Sequence, residues 1–255
     1  METGDFEIIL CRDPMEVSQL AARLFAERVE HAIATRGNFT VALSGGSTPK
    51  GLYGTLAMPP YRNSIPWPNM HLFWGDERCI PPTHPDSNYQ MVKEALLVKV
   101  PIPAENVHRI PAELEDPQVA ADTYEQLLRM HSLLSGRPFP RFDLVLLGLG
   151  EDGHTASLFP ATEVLNEKER WVAAPYVQKL SVHRITLTPP VINRAATIIF
   201  VVTGEAKAAI LKQVLESEYR PDQLPAQLVR AEHGRLYWLV DRAAASRLAH
   251  FQARL

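Results

Sequence analysis

Asp152 and His154 stand two residues apart in the segment Gly148-Leu-Gly-Glu-Asp-Gly-His-Thr-Ala-Ser157. A carboxylate and an imidazole on one glycine-relaxed loop can face the same cleft, where the carboxylate orients the ring and the ring moves a proton near neutral pH. The preceding apolar run, Asp143 to Leu147, reads as a buried strand. The chain has nine histidines and most loop histidines are merely solvated, but one at a buried strand's end beside a carboxylate is a candidate general base. Glycines 148, 150 and 153 also fit G-x-G-x-x-G. A dinucleotide site needs an acidic residue about 20 positions later, at the end of a second strand. Here that place falls in the polar run Asn166 to Arg170, so no nicotinamide nucleotide is expected.

Three other segments carry similar potential. Ser44-Gly45-Gly46-Ser47-Thr48-Pro49 follows the run Val41 to Leu43. Its glycines turn the backbone tightly, its hydroxyls add donors, and Pro49 suits the first turn of a helix, so it can cradle an anion at a helix N-terminus. The same residues also suit an ordinary capped turn, and the P-loop spacing is absent. Gly75-Asp76-Glu77-Arg78 follows His71 to Trp74, and three charges at a buried strand's end must be exposed, paired or functional. An internal pair between Asp76 and Arg78 and a substrate role are both open. Cys79 beside them has no histidine nearby in sequence to activate its thiol and is read as a small apolar residue. Thr203-Gly-Glu-Ala-Lys207 follows Thr197 to Val202 and puts a lysine in a helix's first turn, a position favourable only beside an anion. Arg184, before Ile185 to Leu187, is a weaker companion.

These segments all sit just after apolar β-type runs, and further strands are expected at the runs already named and at Leu236 to Val240. Helices alternate with them. Asp13 as N-cap, Pro14, and Glu16 three residues after the cap start a helix whose apolar face is Val17, Leu20, Ala21, Leu24, Val29, Ala32 and Ile33. Ser87 and Gln90 cap a second over Asn88 to Leu97, and others are expected over Pro117 to Leu134 and Glu205 to Glu216. Prolines cluster in loops: Met58 to Pro68, Pro81 to Pro85, Pro101 to Pro111, Arg137 to Pro140 and Pro221 to Pro225. The alternation predicts an α/β protein with a three-layer, mainly parallel sheet and helices on both faces. Without a repeat or a composition break, residues 1–255 are expected to form a single domain.

Composition narrows the function. Apolar residues make up 46% and charged residues 22%, which excludes disorder. The 26 Lys+Arg against 29 Asp+Glu leave a net charge of -3, so no global positive field holds nucleic acid or an anionic membrane, and an anion must be bound locally. Cys11 and Cys79 show neither a CxxC nor a Cys/His grouping at metal-ligand spacing, so no zinc site is expected and a reducing cytoplasm fits. The start Met-Glu-Thr-Gly-Asp-Phe-Glu is acidic where a signal peptide is basic, and no apolar run approaches membrane-spanning length.

Taken together, Ser44 to Pro49, Trp74-Gly-Asp-Glu-Arg78, His84-Pro-Asp-Ser-Asn-Tyr89, the run from Gly148 through Ser157-Leu-Phe-Pro160, Arg184-Ile-Thr-Leu-Thr188 and Thr203 to Lys207 resemble the 6-phosphogluconolactonase branch of the glucosamine-6-phosphate isomerase/6-phosphogluconolactonase superfamily. The resemblance runs nearly end to end, and the long central motif is its most specific part. It implies a Rossmann-like α/β fold, a sugar phosphate as the small-molecule partner, no cofactor and no metal. The implied reaction is hydrolysis of 6-phospho-D-glucono-1,5-lactone to 6-phosphogluconate, as in the oxidative pentose phosphate pathway. Similar deaminases continue their Asp-Gly-His with Ile-Ala-Phe-Asn-Glu, whose glutamate shuttles protons; Phe159 holds that place here and cannot.

The expected site therefore has His154 as base, oriented by Asp152. Ser44, Gly45, Gly46, Ser47 and Thr48, with Lys207 and Arg78, hold the phosphate, and Arg184 is a further candidate. Asp76 is either a second base or the structural partner of Arg78. Two alternatives are a glucosamine-6-phosphate deaminase/isomerase and a non-catalytic sugar-phosphate-sensing domain. The latter would need an output module, and the chain has no added helix-turn-helix or basic segment.

Overall fold

The computed structural model describes residues 6–134, 136 and 139–249. The acidic start up to Asp5, and Arg137 and Pro138 of one predicted loop, lie outside them. In chain order the elements are β1 (Phe6–Cys11), α1 (Pro14–Arg36), β2 (Phe39–Leu43), α2 (Ser47–Leu56), α3 (Tyr61–Ser64), β3 (Met70–Trp74), β4 (Asp76–Arg78), α4 (Asn88–Ala95), β5 (Val107–His108) and α5 (Pro117–Leu134). There follow β6 (Leu144–Leu147), β7 (Val172–Ala173), β8 (Tyr176–Val177), β9 (Val182–Leu187), α6 (Pro189–Asn193), β10 (Thr197–Val202), α7 (Ala208–Glu216), β11 (Arg235–Asp241) and α8 (Arg242–Ala245).

Seven strands form an all-parallel sheet in the order β1-β11-β10-β6-β2-β3-β5. From β2 the chain runs outward through β3 to β5, then returns to β6 on the other side of β2 and continues to β10 and β11. Right-handed crossovers turn that reversal into two helical layers, with α1, α2 and α4 on one face and α5 and α7 on the other. The reversal point lies between β2 and β6, and a crevice opens there beyond the carboxyl ends of the strands. All residues of β2, β6 and β10 are buried, which explains their unbroken apolar runs.

Local signals in the sequence act as expected at α1. The Asp13 side chain accepts from the Glu16 N–H, Pro14 occupies the first turn, and Gly37 ends the helix at φ 76°. Such a cap contributes about 1 kcal/mol, and it aims Val17, Ala21, Phe25 and Val29 into the core.

Three expectations need correction. The run Ile185 to Leu187 belongs to β9, which leaves the parallel sheet and pairs antiparallel with β4, β7 and β8. Two strands at the edges of the main sheet, β1 and β5, were missed, because β1 is largely exposed and β5 has only two residues. The helix expected over Glu205 to Glu216 begins as a 3-10 turn, Glu205–Lys207, and Lys207 becomes the cap residue of α7. Among the described residues, no helix is long and apolar enough to cross a membrane.

Candidate active site

A cleft of about 500 Å³ opens at the reversal point. The turn after β2, the segment after β3, the loop after β6 and the turn after β10 all reach it, joined by Arg184 from β9. Every residue singled out from sequence lines this one cleft: Ser44, Gly45, Gly46, Ser47, Thr48, Asp76, Arg78, Asp152, His154, Arg184 and Lys207.

The loop after β6 is built around His154. Its backbone closes on itself, with the Gly150 N–H donating to the His154 carbonyl at 2.8 Å and the Gly153 N–H to the Gly150 carbonyl at 3.1 Å. Asp152 Oδ1 lies 2.5 Å from His154 Nδ1 and also accepts from the His154 backbone N–H at 3.3 Å. This contact holds the Asp152 carboxyl well below the usual carboxylate range, with Lys179 Nζ adding to it at 3.3 Å from Oδ2. An ionised carboxylate accepts only, so Nδ1 carries the proton and Nε2 is left as the basic nitrogen. The imidazole stacks on Phe159, ring centroids 4.0 Å apart, which fixes its plane from the other side. Thr155 Oγ1 donates to the Gly148 carbonyl and pins the far end of the loop.

The turn after β2 is held by Tyr53 of α2. Its hydroxyl accepts from the Ser44 N–H at 3.0 Å and donates to the Ser44 carbonyl at 2.8 Å, so the turn keeps its shape at the sheet's edge. Gly46 has φ 104°, a backbone that side chains of L-residues rarely adopt. Thr48 Oγ1 lies 2.8 Å from Thr203 Oγ1, tying this turn to the one after β10. That second turn is fixed from below, where the buried Asp241 carboxylate accepts from the Gly204 N–H. Ser44 Oγ is buried and has no hydrogen-bond partner among the described residues, a cost that a ligand oxygen in the cleft would remove.

The charges after β3 separate into two roles. Glu77 is buried and accepts from Ser87 Oγ and from the N–H groups of Arg78, Asn88 and Tyr89, which anchors the start of α4. Burial pushes its carboxyl up despite these donors. Asp76, equally buried, accepts from Ser157 Oγ at 2.7 Å and from Asn88 Nδ2 at 3.3 Å. Arg78 does not pair with Asp76: its guanidinium donates to the Asp86 carbonyl. Of the two readings of Asp76, pairing with Arg78 is not formed; the carboxylate is held by Ser157 and Asn88 and lines the cleft.

Antiparallel pairing of β4 and β9 sets Arg78 directly opposite Arg184. Like charges in a cross-strand pair repel. Burial, and Arg78 next to it, push the Arg184 guanidinium down from its ordinary value. Arg184 is therefore a half-buried cation inside β9, which begins at Val182, ahead of the run Ile185 to Leu187. Among the described residues, neither arginine nor Lys207 has a carboxylate within ion-pair distance. Three such cations around one cleft are arranged for an anion with more than one negative charge.

Asn88, Ser157, Lys179 and Thr203 also line the cleft and were not singled out. Asn88 and Ser157 lie inside segments that carried the family resemblance, so a signal was present. Lys179 comes from a 3-10 turn, Gln178–Leu180, with no motif to mark it. Cys79 does not line the cleft, and burial pushes its thiol up.

The family model for glucosamine-6-phosphate isomerases/6-phosphogluconolactonase matches residues 12–238. A 6-phosphogluconolactonase from Synechocystis sp. is 44% identical over 221 residues, covering 87% of this chain and 89% of its own. The solved 6-phosphogluconolactonase from Trypanosoma cruzi superposes with a TM-score of 0.85 at 31% identity, covering 97% of this chain and 98% of its own. A monomeric glucosamine-6-phosphate deaminase shares the fold, with a TM-score of 0.79 at 22% identity over 95% of this chain and all of its own. The loop carrying Asp152 and His154, the glycine-serine turn and the lysine after β10 all fall within the matched span. The chain belongs to the family of glucosamine-6-phosphate isomerases and 6-phosphogluconolactonases.

Proposed function

We propose that this protein hydrolyses 6-phospho-D-glucono-1,5-lactone to 6-phosphogluconate, with His154 as the general base. One observation carries the assignment of roles: a histidine whose Nδ1 is tied to an ionised carboxylate at 2.5 Å shares a cleft with three cations that have no carboxylate partner among the described residues. The cations suit the phosphate, and the free Nε2 suits the proton of a water molecule. Water adds to the lactone carbonyl carbon as Nε2 takes its proton. The tetrahedral intermediate collapses by breaking the bond from that carbon to the ring oxygen, and the imidazolium returns the proton to this leaving oxygen. Atoms balance with one water consumed.

Within this scheme Lys207, Arg78 and the Ser44 to Thr48 turn bind the phosphate, with Arg184 beside Arg78 as a further contact. Asp152 keeps the ring in the productive tautomer and stabilises the imidazolium. A positioned base contributes about 10² to 10⁴ in rate, and holding the lactone against it supplies much of the rest. Phe159 stacks on the imidazole where a deaminase glutamate would stand, so the pocket offers no second proton carrier there. Both cysteines are free, which suits a reducing compartment such as the cytoplasm.

The test is acid release from freshly prepared lactone, followed against spontaneous hydrolysis. Wild-type protein should accelerate it strongly, and His154→Ala should lower kcat by about 10² or more with KM little changed. A His154→Ala variant with near wild-type turnover would remove the histidine from the mechanism.

A further inference from the structure

Away from the cleft, the fold brings together three histidines that are far apart in sequence. His71 lies near the start of β3, His108 on the edge strand β5 and His131 in the last turn of α5. Strand alternation puts His71 and Phe73 on one face of the sheet, and α5 crosses that face. His71 Nδ1 lies 3.1 Å from His108 Nε2. One ring nitrogen from each histidine can be chosen so that all three lie within 4.8 Å of one another. The Phe73 ring packs against the His108 ring at 4.4 Å and the His131 ring at 5.1 Å, giving the group an apolar floor.

We propose that His71, His108 and His131 form a binding site for a divalent transition-metal cation, with Zn²⁺ the best match. Three imidazole donors and no carboxylate disfavour Mg²⁺ and Ca²⁺, which take oxygen ligands, and suit zinc, nickel or copper. Tetrahedral zinc with Zn–N bonds of 2.0–2.1 Å needs nitrogens about 3.4 Å apart. The His71–His108 pair is already close to that separation, and the chosen nitrogen of His131 lies within 4.8 Å of both rings' ligand atoms. A cavity of about 300 Å³ lined in part by His131, Ser132, Phe73 and Thr40 opens beside His131. Arg36 and Arg141 also line that cavity; the Arg36 guanidinium is paired with the Asp143 carboxylate, and that of Arg141 donates to the His233 carbonyl.

All three histidines are partly buried. The site was invisible to a search for ligand spacing, because 37 and 23 residues separate its members and only the pairing of β3 with β5 and the packing of α5 unite them.

The test is equilibrium dialysis of chelator-stripped protein against Zn²⁺ at micromolar concentration, with bound metal counted per chain. Wild type should take up about one equivalent, and His154→Ala, whose change lies in the cleft, should do the same. His108→Asn and His131→Gln should each lower uptake by about tenfold or more while keeping a cooperative thermal transition. Should those variants fail to fold, Co²⁺ added to stripped wild type decides the matter, through the intense visible absorption of a tetrahedral nitrogen site. Absence of uptake by wild type, equal uptake by the two histidine variants, loss of uptake on changing His154, or a Co²⁺ spectrum of the weak octahedral kind would each overturn the proposal.

Discussion

A β-carbon on Gly150 would lie 2.0 Å from Nδ1 of His154. No pair of nonbonded atoms tolerates that approach, so the glycine exists in this loop to make room for the imidazole. The same nitrogen is the one held by Asp152, and displacing it breaks the contact that sets the tautomer.

Gly150→Ala is therefore expected to act like a partial loss of His154. The added methyl must push the ring away from Asp152, and kcat should fall by about 10², while the thermal transition moves far less because the loop borders an open cleft. A variant with unchanged kcat would mean that the ring's position in this loop does not matter for turnover.

Lys207→Ala should separate phosphate binding from chemistry. Losing one charge-assisted contact costs about 1.5–3 kcal/mol, so KM for the phosphorylated lactone should rise by about tenfold to a hundredfold. KM for unphosphorylated gluconolactone should hardly change. Equal effects on both substrates would show that Lys207 does not read the phosphate.

His108 predicts an acid limit to stability. Its pKa is about 4 in the folded protein against an ordinary value of 6.5, because burial and the facing His71 and His131 penalise the charged ring. The unfolded chain thus binds the proton more readily, and the stabilisation is fully present above about pH 6.5 and lost as pH falls toward about 4. Urea midpoints measured without metal should decline across that window in wild type and decline less in His108→Asn. Identical slopes for the two proteins would contradict the assignment.

Phe159 predicts which reaction of the family is absent. A deaminase must move protons between sugar carbons and expel ammonia, whereas opening an ester needs one base and one water. Wild-type protein should release no ammonia from glucosamine 6-phosphate above background, although that compound should compete with the lactone for the cations. Ammonia release at rates comparable to lactone hydrolysis would defeat the reading.

Apart from Arg184, which lies inside β9, the candidate site residues were legible in sequence because each follows a strand whose apolar run betrays it. Leu43 precedes Ser44, Leu147 precedes the loop of Asp152 and His154, and Val202 precedes the turn that leads to Lys207. Parallel strands carry such loops to one edge of the sheet, so a list made along the chain became a list of neighbours. Local capping signals likewise marked the starts of α1 and α4.

What the tertiary structure alone decided is how charges meet across distance. Only the antiparallel pairing of β4 with β9 opposes Arg78 to Arg184, and only the fold gives Asp76 to Ser157 and Asn88, away from its sequence neighbour Arg78. The three histidines on β3, β5 and α5 belong to the same class. Period and spacing describe what one segment prefers, while these contacts depend on register and on which element crosses which face, and both are set by the burial of the whole core.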